Sequence, residues 1–181
     1  MKKTLALISC FLLVIFLSGC ELGNTPTKKV ENFLDNYRNY TTDVDTQLDD
    51  IINTDTTMTT EQKDNYKKLL KRQYQDLTYE IKDEVVDGDK ATVTAEIEVY
   101  DYYKSNKAST EYFNKNQKEF MDEKGNILDT KFIEYKLKEL TDAKDRVKYT
   151  IDFTLTKTNN TWVLDDIDDT TRLKIHGLYE Y

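Results

Sequence analysis

Apolar residues recur along this chain with two different periods, and the changes between them mark out its elements. Leu5 to Leu17 is one apolar run broken only by Ser9. Val30, Phe33, Leu34 and Tyr37 then repeat at helical spacing, and Val44, Leu48, Ile51 and Ile52 continue it beyond Thr41-Thr42. Such spacing puts the apolar side chains on one face of a helix. The stretch is one bent helix or two, and the paired threonines favour two. Thr25-Pro26 reads as N-cap and first helical residue. Thr59 to Gln62 has capping-box spacing, and Tyr66, Leu69, Leu70 and Tyr74 follow as a third stripe.

The period then becomes two. Leu77, Tyr79, Ile81 and Val85 alternate with Thr78, Glu80, Lys82 and Glu84, and after Asp87-Gly88 so do Ala91, Val93, Ala95, Ile97 and Val99 with polar residues. This predicts a hairpin with one buried face. A plain two-residue turn would set Ile81 against Thr94, so matching the apolar faces (Ile81 with Ala95) requires a three-residue loop or a bulge, expected near Val85 to Asp89. Lys107 to Lys124 reads as a helix capped by Ser109 and stopped by Gly125. Asp129 or Thr130 opens another, carrying Ile133, Leu137 and Leu140. Val147, Tyr149, Ile151, Phe153 and Leu155 form a second alternating strand, Asn159-Asn160 the turn, and Trp162 and Leu164 the return, with Leu155 opposite Leu164. The tail Leu173 to Tyr179 is apolar enough to pack back. The class is α+β: N-terminal helices on a curved, cone-like antiparallel sheet, with a helical insertion between two hairpins.

The first apolar run is about 13 residues, short of the roughly 20 that cross a bilayer as a helix. Lys2 and Lys3 precede it and Leu17-Ser18-Gly19-Cys20 closes it, the flanks of a signal peptide. This ending resembles the lipobox of bacterial lipoproteins. The resemblance implies export, diacylglycerol on the Cys20 thiol, and cleavage before that cysteine. Residues 1–19 are then the leader, 20–25 the lipidated cysteine and tether, and 26–181 a single domain. Two or more acyl chains anchor stably where one does not, and the expected partner is the bilayer on the outer face of the cytoplasmic membrane.

Composition sharpens this. The only cysteines are Cys10, inside the leader, and Cys20. With one removed and the other acylated, the domain has no disulfide, cysteine metal ligand or cysteine nucleophile. The whole chain carries 34 acidic and 26 basic residues, net −8, and losing Lys2 and Lys3 makes the remainder more negative still. Such a domain is a poor nucleic-acid binder and is repelled by anionic headgroups, leaving the contact with the membrane to lipid.

An opening Thr25-Pro26-Thr27-x-x-Val30-x-x-Phe33-Leu34 helix, a hairpin with Gly88, a Trp162-Val163-Leu164 strand and an Ile175-His176-Gly177-Leu178-Tyr179 tail together resemble extracytoplasmic lipoproteins with a nuclear-transport-factor-two-like, cystatin-related fold. The resemblance implies helices packed into a cone of sheet, often around a cavity, in a family that hosts enzymes, binding modules and assembly proteins alike. The helices between Ser105 and Asp142 exceed its simplest members.

Candidate chemistry is sparse. Asp83 and Asp101 fall in the inward phase of their strands and Asp166 shares phase with Trp162. Buried carboxylates could serve proton abstraction, as in isomerases and dehydratases, though strand ends open to water are the plainer reading. Tyr100, Tyr102 and Tyr103 around Asp101, with Tyr112 beyond, could stack a small ligand such as a sugar ring or anchor an envelope protein. His176, the only histidine, reads as a packed tail residue. Ser105 and Ser109 sit in no nucleophile elbow. Asp43-x-Asp45 and Asp165-Asp166-x-Asp168-Asp169 lack the pattern of a calcium loop. Lys67, Lys68, Lys71 and Arg72 read as a solvated helix side. No metal and no cofactor is implied. The expectation is a non-catalytic binding lipoprotein, with an assembly module of an envelope or conjugation machine, or an isomerase-type enzyme, as alternatives.

Overall fold

The computed structural model describes residues 23–181. The apolar run, Leu17, Ser18, Gly19 and Cys20 lie outside the described residues. Three helices occupy the first part of the described chain. In α1 (Pro26–Arg38) the Thr25 hydroxyl accepts from the Lys28 amide, with Pro26 at the first turn. A break with Tyr40 at φ +47° separates it from α2 (Thr42–Thr54), so the stretch is two helices. In α3 (Thr60–Gln75) both reciprocal bonds of the Thr59–Gln62 capping box are present.

The sheet follows in two hairpins. Strands β1 (Thr78–Asp87), β2 (Lys90–Tyr100), β3 (Arg146–Thr158) and β4 (Thr161–Leu164) lie in the order β1-β2-β3-β4, all antiparallel and open at both edges. Helices α4 (Tyr102–Lys115) and α5 (Asp129–Asp142), with a 3₁₀ turn at Gln117–Phe120 between them, are inserted between the hairpins, and α6 (Asp169–Ile175) closes the chain. This is the α+β arrangement the periodicity implies. Asn159 and Asn160 both take positive φ, +50° and +62°, as a two-residue primed turn needs, and Leu155 pairs with Leu164.

Ile81 pairs with Ala95, but the bulge that permits it lies at Lys82, not near the turn. The turn itself is two residues, with Asp87 opposite Lys90 and Gly88 at φ +59°. The correction moves several side chains across the sheet. Beyond Lys82 the phase is reversed, so Asp83 pairs with Thr94 on the outer face and is exposed. Glu84 takes the inner phase instead. Its carboxylate accepts from the Thr27 amide (2.9 Å) and hydroxyl (2.6 Å) at the start of α1, where unpaired amides and the helix dipole favour an anion.

Two apolar clusters hold these elements. The larger joins α1, α2 and one side of α3 to the inner sheet face, with Val30, Leu34, Leu70, Ile97, Phe153 and Leu155 almost fully buried. Each such side chain contributes about 1.5–3 kcal/mol of burial. Phe33 meets Phe153 edge-on at 5.8 Å and Tyr37 meets Tyr74 at 4.9 Å, so side chains occupy the space between α1 and the sheet. The smaller cluster, Leu69, Tyr102, Leu137, Leu140 and Ala143, joins the other side of α3 to the insertion. Both clusters draw on residues 30–179 and are retained whole by a fragment beginning at Glu21.

The helix expected over Lys107–Lys124 is corrected in turn. It starts at Tyr102, because Asp101 caps it by accepting from the Lys104 amide (2.9 Å). Ser109 is buried mid-helix, donating to the Ser105 carbonyl (2.8 Å), and Asn116, not Gly125, ends the helix. The tail does pack back. Gly177, at φ +69°, lies against the end of β2, where an added Cβ would stand 2.0 Å from the Tyr100 carbonyl oxygen. Its own carbonyl accepts from the Tyr103 amide at 2.7 Å.

Candidate functional site

Five segments meet beside the smaller cluster and leave a cavity of about 310 Å³. Two turns of α3 present Leu69 and Leu70, and the Ile133-x-x-x-Leu137-x-x-Leu140 stripe of α5 faces them. The C-terminal end of α2 adds Ile51 and Ile52, and Leu178 of the tail adds a further wall. Tyr102, the first residue of α4, is 1% exposed, and its hydroxyl points to the Leu69 carbonyl at 3.4 Å. Ile51, 63% exposed, stands at the rim.

Among the described residues two charged ones line this space, Asp55 and Lys136. They differ in how they are satisfied. The Asp55 carboxylate accepts from the amide and hydroxyl of Thr57, both at 2.7 Å, and from the Met58 amide at 3.2 Å. These bonds hold it below the ordinary carboxylate pKa. Lys136 makes no ion pair among the described residues. Burial lowers its amine pKa, with no opposing charge to restore it. Lys136 was missed by the sequence reading, although a lysine inside the apolar stripe from Ile133 to Leu140 was the signal that could have found it.

The residues proposed from sequence are not gathered there. Tyr102 reaches the cavity as a buried wall rather than at a mouth. Tyr100 lies on the outer sheet face between the guanidinium groups of Arg72 (3.9 Å) and Arg146 (4.9 Å), its hydroxyl donating to Asp76 at 2.8 Å. Tyr103 donates to Glu180 at 2.6 Å, and Tyr112 stacks on Tyr135 within the insertion. Asp101 is buried with its oxygens engaged, one by the Lys104 amide and the other by the Tyr181 hydroxyl at 2.6 Å. Asp83 is thus exposed in β1 while Asp101 is buried at the start of α4, and Asp166 is exposed beyond β4.

The remaining candidates have structural work. His176 is partly buried with its Nε2 hydrogen-bonded to the Tyr74 hydroxyl (2.9 Å), and desolvation, aided by Arg172, lowers its pKa to about 4. Lys67 bridges Asp45 and Asp49 at 2.7 Å each, Lys71 covers the Tyr40 ring, and Arg72 donates to the Thr141 and Ala143 carbonyls at the end of α5. Asp168 caps α6 and Asp165 accepts from Thr156. Among the described residues no group of three or more His, Cys, Asp or Glu side chains is placed to hold a metal ion. A wider groove between α3 and α5, about 1030 Å³, is lined by charges of both signs, including Glu61, Lys68, Glu134 and Asp142. Mixed signs of this kind suit a solvated seam.

No family model and no curated protein matches the chain. Among solved structures it is similar to the crystal structure of a putative lipoprotein (ycdA) from Bacillus subtilis, with a TM-score of 0.42 and 14% identity over 87% of this chain. The chain spans about half the length of that protein, 48%.

Proposed function

We propose that this chain is a membrane-anchored, non-catalytic lipoprotein whose extracytoplasmic domain binds a small ligand in the cavity between α2, α3 and α5. The anchor rests on Lys2, Lys3, the apolar run and Leu17-Ser18-Gly19-Cys20. Among the described residues no helix is long and apolar enough to cross a membrane, which is consistent with a lipid attachment. The observation that carries the binding role is the cavity itself. Its size lies at the lower end of small-molecule sites, which are apolar with a few polar groups. Its lining matches that composition, with aliphatic walls, two tyrosines and one unpaired amine.

The tether supports an orientation. Asn24 is pinned beside the second hairpin turn, donating to the Asn160 carbonyl and accepting from the Trp162 amide, both at 3.0 Å. Cys20, four residues earlier, can lie no more than about 14 Å away along the chain. Tyr102 of the cavity wall follows the other end of β2, a strand about 33 Å long at 3.3 Å per residue. The tether and the Tyr102 wall of the cavity therefore lie at opposite ends of β2, an arrangement that suits a ligand site held away from the bilayer.

Nothing in the site favours proton abstraction, since Asp83 and Asp101 stand apart and neither lines the cavity. The filled space between α1 and the sheet does favour the second reading, an assembly module docking an envelope protein. Calorimetry with octan-1-ol on residues 21–181 separates the two. The binding role predicts saturable one-to-one uptake that disappears in Ile133→Trp, which fills the cavity. Absence of uptake, or uptake unchanged in that variant, would overturn it.

A further inference from the structure

The cavity has an asymmetry that bears on what it holds. Its walls are aliphatic on α2, α3 and α5. Of its two charged residues, Asp55 has its carboxylate occupied by its own loop. Lys136 makes no ion pair among the described residues and stands between Ile133 and Leu137 on α5. An ammonium in partly apolar surroundings is costly unless an opposite charge joins it. A neutral ligand would leave that cost unchanged, and a cationic one would add repulsion.

Volume sets the scale of the partner. A cavity of about 150 Å³ admits benzene, so about twice that space holds on the order of ten to twelve non-hydrogen atoms. We infer that the cavity takes a short amphipathic anion, an aliphatic chain of about eight carbons lying among Ile52, Leu69, Ile133 and Leu140, with a carboxylate at the Lys136 amine. This rests on the binding reading above and adds the charge and length of the ligand. Leu178 of the tail closes one side, and a carboxylate paired with the Lys136 ammonium offsets the desolvation it bears there.

The test compares octanoate, octan-1-ol and octylammonium by calorimetry on residues 21–181 and on Lys136→Met, whose side chain keeps the length and loses the charge. Octanoate should bind the parent domain more tightly than octanol, with octylammonium weakest. Lys136→Met should weaken octanoate about tenfold or more, the usual size of a lost charge-assisted bond, and leave octanol within about twofold. Comparable melting temperatures would show the variant folded. Octanol binding with no preference for octanoate, or octanoate unaffected by Lys136→Met, would overturn the anion inference while the binding module stands. Failure of every ligand would overturn both.

Discussion

Acid should destabilise this domain through one side chain, and the size of the effect follows from where that side chain sits. His176 is partly buried at the end of α6, its ring Nε2 hydrogen-bonded to the Tyr74 hydroxyl. Desolvation, with Arg172 nearby, holds its folded pKa at about 4 against 6.5 for a solvated imidazole. Between those values the unfolded chain binds a proton that the folded chain refuses. Stability is therefore highest above pH 6.5 and falls as pH drops toward 4. Each pKa unit is worth about 1.4 kcal/mol, so the full loss is about 3 kcal/mol, of which about 2 kcal/mol has gone by pH 5. Urea unfolding of residues 21–181 between pH 7 and 5 reads it directly, with His176→Gln as the reference because glutamine keeps an acceptor and does not titrate. The carboxylates whose pKa is lowered, among them Asp45, Asp55 and Glu96, start from values of 3.8–4.5 and contribute mainly below this window. As His176 is the only histidine, its proton resonance in NMR is unambiguous and should stay unshifted until pH nears 4. A midpoint near 6.5, or a stability profile parallel to that of His176→Gln, would refute the assignment.

Three further substitutions probe the backbone, two at the tail and the end of β2 and one in the first hairpin turn as a reference. Gly177→Ala combines a positive φ with a Cβ 2.0 Å from a backbone oxygen and 2.4 Å from Gln73 Nε2; it should cost about 3 kcal/mol or more, whereas Gly88→Ala, with nothing within 4 Å, should cost about 1 kcal/mol, both read by urea midpoint. Gln73 is fully buried, and its amide bonds both the Tyr100 carbonyl (3.1 Å) and the Tyr100 N–H (2.9 Å). Gln73→Leu leaves both backbone groups unpaired and should cost about 2–4 kcal/mol; a loss below about 1 kcal/mol would show that the pairing contributes little.

The limits of the sequence reading are physical. Hydrophobic phase predicted the Ile81–Ala95 and Leu155–Leu164 pairings, because a one-residue slip would turn each apolar face outward. Phase does not say which residue absorbs the odd count. Val85 and Val86 are both apolar, so the pattern near the turn was compatible with either face, and the bulge at Lys82 left no mark. The start of α4 was hidden because Tyr100, Asp101 and Tyr102 continue a period of two while Asp101 also fits an N-cap. Here the cap prevailed, with both Asp101 oxygens satisfied and Tyr102 buried. The cavity was not legible because five segments distant in the chain build it. Only its α5 stripe was visible, and the lysine within that stripe carried the signal.

The anchored binding role depends first on the fate of Cys20. Intact mass and N-terminal analysis of the full chain recovered from the membranes of an expressing bacterium tests it most directly. The account predicts a polypeptide beginning at Cys20, heavier than its sequence by a diacylglyceryl group, and a Cys20→Ala form that stays unprocessed. An N-terminus elsewhere, or an unmodified Cys20 thiol in the membrane-bound protein, would contradict it.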